Sequence, residues 1–276
     1  MNSEHRLAEI ARSLEEEAGL DVLVMGGHAV RYYGVDRNTV DYDFFAGIAS
    51  ASDLREHLSH VRLLRGAPEG PSWRPRDFAR FQIGRLPDGR EEWVDFWLRN
   101  HLLPDFQQVR DRREQGPYGG RRISFISLPD LLRSKETVRE TDWQDIILLE
   151  EIHDARNLVA ADSAVRIVTA LSKLRSVRGF QRALSMGLFN NHELVRAAGT
   201  SSDHPVSYAF LLPLAPGARD PTAFRMPLKQ VYVAPFASAK FASPMHLALV
   251  EVVRRAYRRW AVAEDQKDKQ AHLDRR

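Results

Sequence analysis

The 276-residue sequence contains no cysteine. Disulfide bonds, thiolate zinc sites and cysteine nucleophiles are therefore excluded, and the absence fits a reducing cytoplasm, where we expect the protein to be. No run of about 18 consecutive apolar residues occurs, so we expect no transmembrane helix and no membrane partner. The sequence also lacks a Gly-x-Gly-x-x-Gly run, which disfavours a dinucleotide-binding Rossmann domain.

Charge is distributed unevenly along the chain. Residues 1–155 carry a net charge of −7 and residues 156–276 one of +10, which gives the overall +3. A chain of this length can bury two cores, so we predict two domains with their boundary at this change of charge. The basic second part predicts an anionic partner such as RNA. The alternative is a set of solvated arginine-rich helix faces.

A short strand is predicted to end at a pair of glycines. Residues 22–25 form an apolar run with two valines, which is typical of a buried strand. Gly26 and Gly27 follow, and a backbone without Cβ atoms lets phosphate oxygens approach its N–H groups. A helix predicted over residues 29–33 would present an N-terminus that favours an anion. The alternative is a tight turn without a ligand.

Two acids then lie in a segment that alternates like a strand, residues 39–45. Side chains two apart along a strand share a face, so Thr39, Asp41 and Asp43 are predicted to lie together. Two carboxylates on one face repel each other unless a cation compensates them. Mg²⁺ suits this role because it takes carboxylate oxygens and substrate phosphates. The alternative is a pair of exposed acids with Arg37 as their surface partner.

A third acid is predicted on a neighbouring strand. Residues 78–83 and 92–97 both alternate like strands, and the Pro-Asp-Gly-Arg segment between them predicts a hairpin turn. Asp95 lies between apolar neighbours, where an uncompensated carboxylate is costly. We prefer a metal ion as the compensating charge. The alternative is an ion pair across the hairpin, for example with Arg80.

Together these residues resemble the DNA-polymerase-β-like nucleotidyltransferases, and more closely their minimal and AbiEii-type toxin members. The residues that carry the resemblance are Gly26, Gly27, Gly34, Arg37, Thr39, Asp41, Asp43 and the run Val94-Asp95-Phe96. The similarity covers roughly residues 20–152. One departure is Met25, which stands before the glycines where related enzymes often carry a small residue.

The resemblance implies an α/β fold of the α+β kind. Residues 1–155 would form a catalytic domain with a small mixed sheet flanked by helices, and residues 156–276 a mostly helical domain. The implied reaction moves a nucleoside monophosphate from an NTP to an acceptor hydroxyl, with Mg²⁺ or Mn²⁺ held by Asp41, Asp43 and Asp95. Asp95 would complete the site for the acceptor-side ion and help to remove the acceptor proton.

The resemblance also implies contacts for the donor nucleotide, ATP or another NTP. Gly26 and Gly27 would hold the triphosphate. Thr39 would orient the acids or a metal-bound water, and Arg37 would neutralise phosphate charge. Phosphoryl-type transfer depends mainly on such positioning and charge stabilisation.

A lysine further along the chain completes the implied nucleotide site. Ser127 is predicted to cap a helix with Pro129 in its first turn, which places Lys135 and Arg139 on one helix face. Spacing alone favours an exposed helix cation at Lys135. The resemblance makes it a triphosphate contact.

The acceptor follows from the resemblance and from the charge pattern. The leading hypothesis is the toxin of a toxin–antitoxin pair that acts on tRNA, with a cognate antitoxin protein as partner. The alternatives are nucleotidylation of a small molecule such as an aminoglycoside, and a catalytically silent nucleotide-binding or interaction protein. In the second half, we predict one helix over residues 163–178 and a final arginine-rich helix over residues 243–260.

Overall fold

The computed structural model describes residues 3–59, 61, 77–86, 88–100, 102–135, 137 and 139–201. The chain divides into two compact units, Met1–Lys135 and Glu136–Arg276. The functional boundary expected after residue 155 stays a prediction. Within the described ranges, no helix combines the length and the apolar character that crossing a membrane requires.

The first unit is built on a six-stranded mixed sheet. Its elements are α1 (Ser3–Glu16), β1 (Val22–Val24), α2 (Gly26–Tyr32), β2 (Tyr42–Ala46), α3 (Ala51–Leu58), β3 (Phe78–Arg85), β4 (Glu91–Trp97), α4 (Phe106–Asp111), β5 (Glu114–Tyr118), β6 (Arg121–Phe125) and α5 (Leu128–Ser134). The strand order is β3-β4-β2-β1-β6-β5. Strands β1 and β6 pair in parallel, as do β2 and β4, and the other neighbours are antiparallel. The predicted mixed sheet flanked by helices is confirmed.

Alternation along the central strands decides which face of the sheet is apolar. Phe44 of β2 stacks on Phe96 of β4 with ring centroids 5.8 Å apart, and Phe81 of β3 meets Phe96 edge to face. These rings are buried in the core. Because successive strand residues point to opposite faces, the intervening Asp43 and Asp95 are directed to the other face.

Two predicted element starts around the acids are each wrong by three residues. Strand β2 begins at Tyr42, so Thr39 and Asp41 precede it and only Asp43 lies within the strand. The strand starts there because Tyr42 is the first residue with a partner on β4, Val94. Helix α2 begins at Gly26 itself, three residues before the predicted start.

The described part of the second unit is helical. It contains α6 (Glu140–Val159), α7 (Ala164–Ser172), α8 (Val177–Ser185), a short 3₁₀ helix (Leu188–Asn190) and α9 (His192–Ser201). Leu158, Leu171, Leu174, Ala183 and Val195 are among its core residues. The helical character predicted for the second part is confirmed for the described residues. The final helix predicted over residues 243–260 lies outside them.

The helix predicted over residues 163–178 is interrupted. Helix α7 ends at Ser172, and α8 starts afresh with Ser176 as its N-cap. The fully buried Asp154 accepts hydrogen bonds from the backbone N–H groups of Arg175 (3.0 Å) and Ser176 (2.7 Å). Those N–H groups are thereby removed from a continuous helical ladder, which explains the break.

Candidate active site

The glycine pair closes directly onto two of the predicted site residues. Gly26 has a positive φ of 62°, and a Cβ atom there would overlap the Asp43 carboxylate. A Cβ atom on Gly27 would overlap the hydroxyl of Thr39. The backbone N–H of Met25 also donates to the carbonyl of Asp43 at 2.9 Å. Both positions therefore require glycine, because the turn lies against the acid strand.

Asp43 and Asp95 are direct neighbours across two parallel strands. They are register partners in the β2–β4 pair, so their Cα atoms lie about 4.8 Å apart. Asp95 is buried, with 5% of its surface exposed, whereas Asp43 and Asp41 are partly exposed. Burial raises the pKa of the Asp95 carboxyl, the neighbouring Arg80 opposes that rise, and the Asp41 charge adds to it.

Arg80 forms a bidentate ion pair with Asp95 across the β3–β4 hairpin. Its Nε donates to Asp95 Oδ1 at 2.7 Å, and its Nη2 donates to Oδ2 at 2.6 Å. The hydrogen bonds to Asp95 raise the pKa of Arg80, with further contributions from the charges of Asp41 and Asp43. The guanidinium group thus lies within electrostatic reach of all three acids. The cross-hairpin pair, considered from the sequence as an alternative, is present in the structure.

The three acids are neighbours without forming a closed ligand group. Among the residues that the structure describes, no three His, Cys, Asp or Glu side chains converge tightly enough to enclose a metal ion. Asp41 lies just before β2, and both Asp95 oxygens are engaged by Arg80. Among the described residues, this position offers two adjacent carboxylates, a third nearby, the Arg80 guanidinium group and a backbone turn free of Cβ atoms.

The remaining predicted nucleotide contacts occupy different places. Thr39 lies against Gly27, and its hydroxyl donates to the backbone carbonyl of Asp41 at 3.4 Å. Arg37 is partly buried in the same irregular segment, four residues before Asp41. The structure therefore brings Thr39 to the glycine turn and leaves the role assigned to Arg37 as a prediction.

Lys135 is the C-cap of α5 and is buried, with 5% of its surface exposed. Helix α5 contacts α2, which begins at the glycine turn. The predicted N-cap of α5 is confirmed, since Ser127 accepts a hydrogen bond from the backbone N–H of Asp130. The prediction that Lys135 and Arg139 share a helix face is wrong. Helix α5 ends at Ser134, and Arg139 is the N-cap of the next helix, α6.

A buried histidine links the glycine turn to the core side of the sheet, and no local sequence pattern predicted this link. His28, the residue after the glycines, lies 2.9 Å from the Tyr118 hydroxyl through its Nδ1 and stacks on Tyr42 at 5.3 Å. Burial lowers the pKa of His28 to about 3, with a smaller contribution from Arg31. Tyr42 in turn donates to Glu92 at 2.9 Å. The ring stack joins the glycine turn to the strand that carries Asp43.

Comparisons with known proteins returned structural similarity only. No protein-family model and no curated protein matches the sequence. An antigenic nucleotidyltransferase-like protein from Paracoccidioides brasiliensis is 20% identical with a TM-score of 0.38, over 71% of this chain and 93% of that one. JHP933 from Helicobacter pylori is 11% identical with a TM-score of 0.36, over 96% and 97%. A tRNA-processing enzyme in an apo form is 14% identical with a TM-score of 0.29, over 86% and 66%.

Proposed function

We propose that this chain is a metal-dependent nucleotidyltransferase of the DNA-polymerase-β-like type. It would move a nucleoside monophosphate from an NTP to an acceptor hydroxyl. The observation that carries the proposal is the alignment of Asp43 with Asp95 on adjacent parallel strands, with Gly26 closed against the Asp43 carboxylate. A backbone turn free of Cβ atoms beside paired acids is suited to holding a triphosphate and its counter-ion together.

The donor set suits Mg²⁺ or Mn²⁺. Asp41, Asp43 and Asp95 offer oxygen ligands, and Mg²⁺ is commonly held by one or two carboxylates completed by water and substrate phosphates. An all-protein ligand cage is therefore not required. These three acids would hold the ions, which supply charge stabilisation at the acceptor oxygen and at the leaving phosphate.

The protein residues would then position the reactants. The glycine turn would receive the triphosphate, and Asp95 lies one strand further from it. The acceptor oxygen forms a bond to the α-phosphorus, the bond to the bridging oxygen breaks, and pyrophosphate leaves with the electron pair. The acceptor proton passes to the Asp95 carboxylate or to water. Such transfer depends on positioning and on charge stabilisation more than on a strong nucleophile.

Arg80 is the residue that this mechanism must accommodate. It holds both Asp95 oxygens in the structure, so Asp95 must exchange part of this pair when it binds an ion. The same pair favours a second candidate function, a nucleotide-binding protein without catalysis, in which Arg80 permanently neutralises Asp95. The two candidates differ in whether a product is formed.

A labelling experiment separates these candidates. The full chain is incubated with each α-labelled NTP, with Mg²⁺ or Mn²⁺, and with total RNA, a small-molecule panel or cell lysate. We expect label on an acceptor with the wild type and none with Asp43→Asn. Asp88→Asn is the matched control, because Asp88 is an exposed acid in the hairpin turn. Nucleotide binding without labelling would support the silent candidate. The absence of both binding and labelling would refute both candidates.

We further propose the AbiEii-type toxin as the physiological role, in the cytoplasm, with tRNA as acceptor and an antitoxin protein as partner. Support comes from the motif resemblance and from the net charge of +10 in residues 156–276. Expression is expected to arrest growth, and Asp43→Ala to abolish the arrest. Growth that is unaffected, together with labelling of an aminoglycoside, would favour the small-molecule alternative.

A further inference from the structure

The sheet face that carries the acids also carries ordered rows of side chains across three strands. The middle row is polar and consists of the register partners Asp43, Asp95 and Arg80 on β2, β4 and β3. The next row on one side is aromatic and consists of Phe45, Trp97 and Phe78. On the other side, Trp93 of β4 pairs with Gln82 of β3. The polar row therefore lies between two tryptophans of the same strand.

Both tryptophans are partly exposed, and their ring contacts differ. Trp97 packs edge to face on Phe78, with ring centroids 4.9 Å apart. The Arg80 guanidinium carbon lies 5.5 Å from the ring centroid of Trp93 and 5.8 Å from that of Phe78. Arg80 is itself 40% exposed. Trp93 and Arg80 together thus present an indole and a guanidinium group beside Asp95.

These two groups lie on the far side of the acids from the glycine turn. Gly26 approaches Asp43 on β2, while Trp93 and Arg80 lie on β4 and β3, towards the edge of the sheet. If the triphosphate occupies the turn, the space over β4 and β3 is left for the acceptor. Trp93 and Asp95 are two residues apart on one strand face, about 7 Å. A ribose separates the hydroxyl of a nucleotide from its base by a comparable length.

We infer that Trp93 and Arg80 form an acceptor subsite for the terminal nucleotide of an RNA strand. The inference rests on the proposed transferase function and assigns residues of that same site to the RNA acceptor proposed for it. The base stacks on the indole, and the guanidinium group receives the adjacent phosphate. Aromatic and arginine side chains side by side are the usual means of holding single-stranded nucleic acid.

The pairing of an indole with a guanidinium group favours this occupant over the others. An aminoglycoside has no aromatic base to stack on Trp93 and no phosphate for Arg80 to bind. A protein hydroxyl would bring neither a base for Trp93 nor a phosphate for the Arg80 donors that Asp95 releases when it binds an ion. A nucleotide uses both groups, one for its ring and one for its phosphate.

Steady-state kinetics and direct binding test the subsite. The acceptor probes are a short single-stranded RNA with a free 3′ hydroxyl and the same RNA with an abasic terminal sugar. The variants are Trp93→Leu, the conservative Trp93→Phe, and the matched control Trp97→Leu on the other side of Asp95. Binding is followed by fluorescence anisotropy of end-labelled RNA, and thermal unfolding verifies that each variant is folded.

We expect Trp93→Leu to raise the KM for RNA about tenfold, the size of one lost base stack, with the KM for NTP unchanged. Trp93→Phe should retain most of the affinity, and the abasic RNA should bind the wild type as weakly as intact RNA binds Trp93→Leu. Three results would each overturn the inference. The first is an equal rise in KM for RNA and NTP, and the second is an effect of Trp97→Leu as large as that of Trp93→Leu. The third is an RNA affinity of the wild type that does not depend on the terminal base. Labelling of proteins or aminoglycosides in place of RNA would overturn it as well.

The binding measurement separates this inference from the function on which it rests. RNA binding that depends on Trp93, without any nucleotide transfer, would refute the transferase and retain the subsite. Nucleotide transfer that is abolished by Asp43→Asn but unaffected by Trp93→Leu would retain the transferase and refute the subsite.

Discussion

Replacing Gly26 by alanine tests the contact on which the candidate site depends. A non-glycine residue in the left-handed region costs about 1–2 kcal/mol, and the φ of Gly26 is 62°. At this position the new Cβ would in addition overlap the Asp43 carboxylate, so either the turn or the acid must shift. A displacement of about 1 Å at a reacting group can lower the rate about a hundredfold.

Gly19 offers a matched control for the backbone term. It has the same φ of 62°, and a Cβ atom there would meet nothing within 4 Å. Gly19→Ala therefore carries the left-handed strain alone, about 1–2 kcal/mol of unfolding free energy, and should retain activity. Gly26→Ala should lose at least as much stability and, in addition, most of its nucleotide transfer.

The comparison uses urea unfolding for stability and the labelling assay for activity, with both variants measured beside the wild type. The informative quantity is the difference between the two alanine variants, because the backbone strain cancels in it. Equal stability losses together with equal activities would show that closure of the turn onto Asp43 has no functional consequence, and the reasoning would be refuted.

Three further predictions follow from buried charges and hydrogen bonds. Arg80→Met leaves Asp95 without its cation, so the variant should have a lower melting temperature than the wild type in EDTA. Added Mg²⁺ should raise the melting temperature of the variant more than that of the wild type. An equal rise in both proteins would contradict an ion site at Asp95. His28 is neutral when buried, with a pKa of about 3, so only the unfolded chain takes up its proton below pH ~6.5, and stability should fall from there towards pH 3 by up to about 1.4 kcal/mol per pH unit. His28→Asn should flatten that dependence in urea titrations at a series of pH values, and an unchanged slope would contradict it. Asp154→Ala removes the acceptor at the start of α8 and should cost about 2–4 kcal/mol in urea unfolding, with a smaller loss for Asp154→Asn; the reverse order would contradict the capping role.

The sequence indicated the elements that hold the site better than it indicated their contacts. The apolar run before the glycines and the alternation around Asp95 are local patterns, and both strands formed as predicted. The start of β2 was misplaced because it depends on where β4 supplies a partner, opposite Tyr42. Local alternation in the preceding residues contains no information about that limit.

The neighbours of the acids were harder to predict, because they come from distant parts of the chain. The sequence offered Arg80 only as the alternative partner of Asp95, because the pair depends on the register of the β3–β4 hairpin, which shifts at an irregularity between Gln82 and Gly84. His28 meets Tyr118 across 90 positions of sequence. Such pairs are fixed by strand order and by hairpin register, and neither is encoded in a local motif.

The hairpin turn between β3 and β4 has a consequence for how the chain tolerates insertions. Leu86 donates to the carbonyl of Arg90 at 2.7 Å, and Asp88 accepts from the backbone N–H of Arg90 at 3.1 Å. A slip of one residue at this turn would move every β4 side chain to the opposite face of the sheet. Val94 would then take the position of Asp95. The carboxylate would enter the apolar core, and a valine would stand between Asp43 and Arg80. The length of this surface turn is therefore a requirement for the site, because it sets which β4 side chain lies between Asp43 and Arg80.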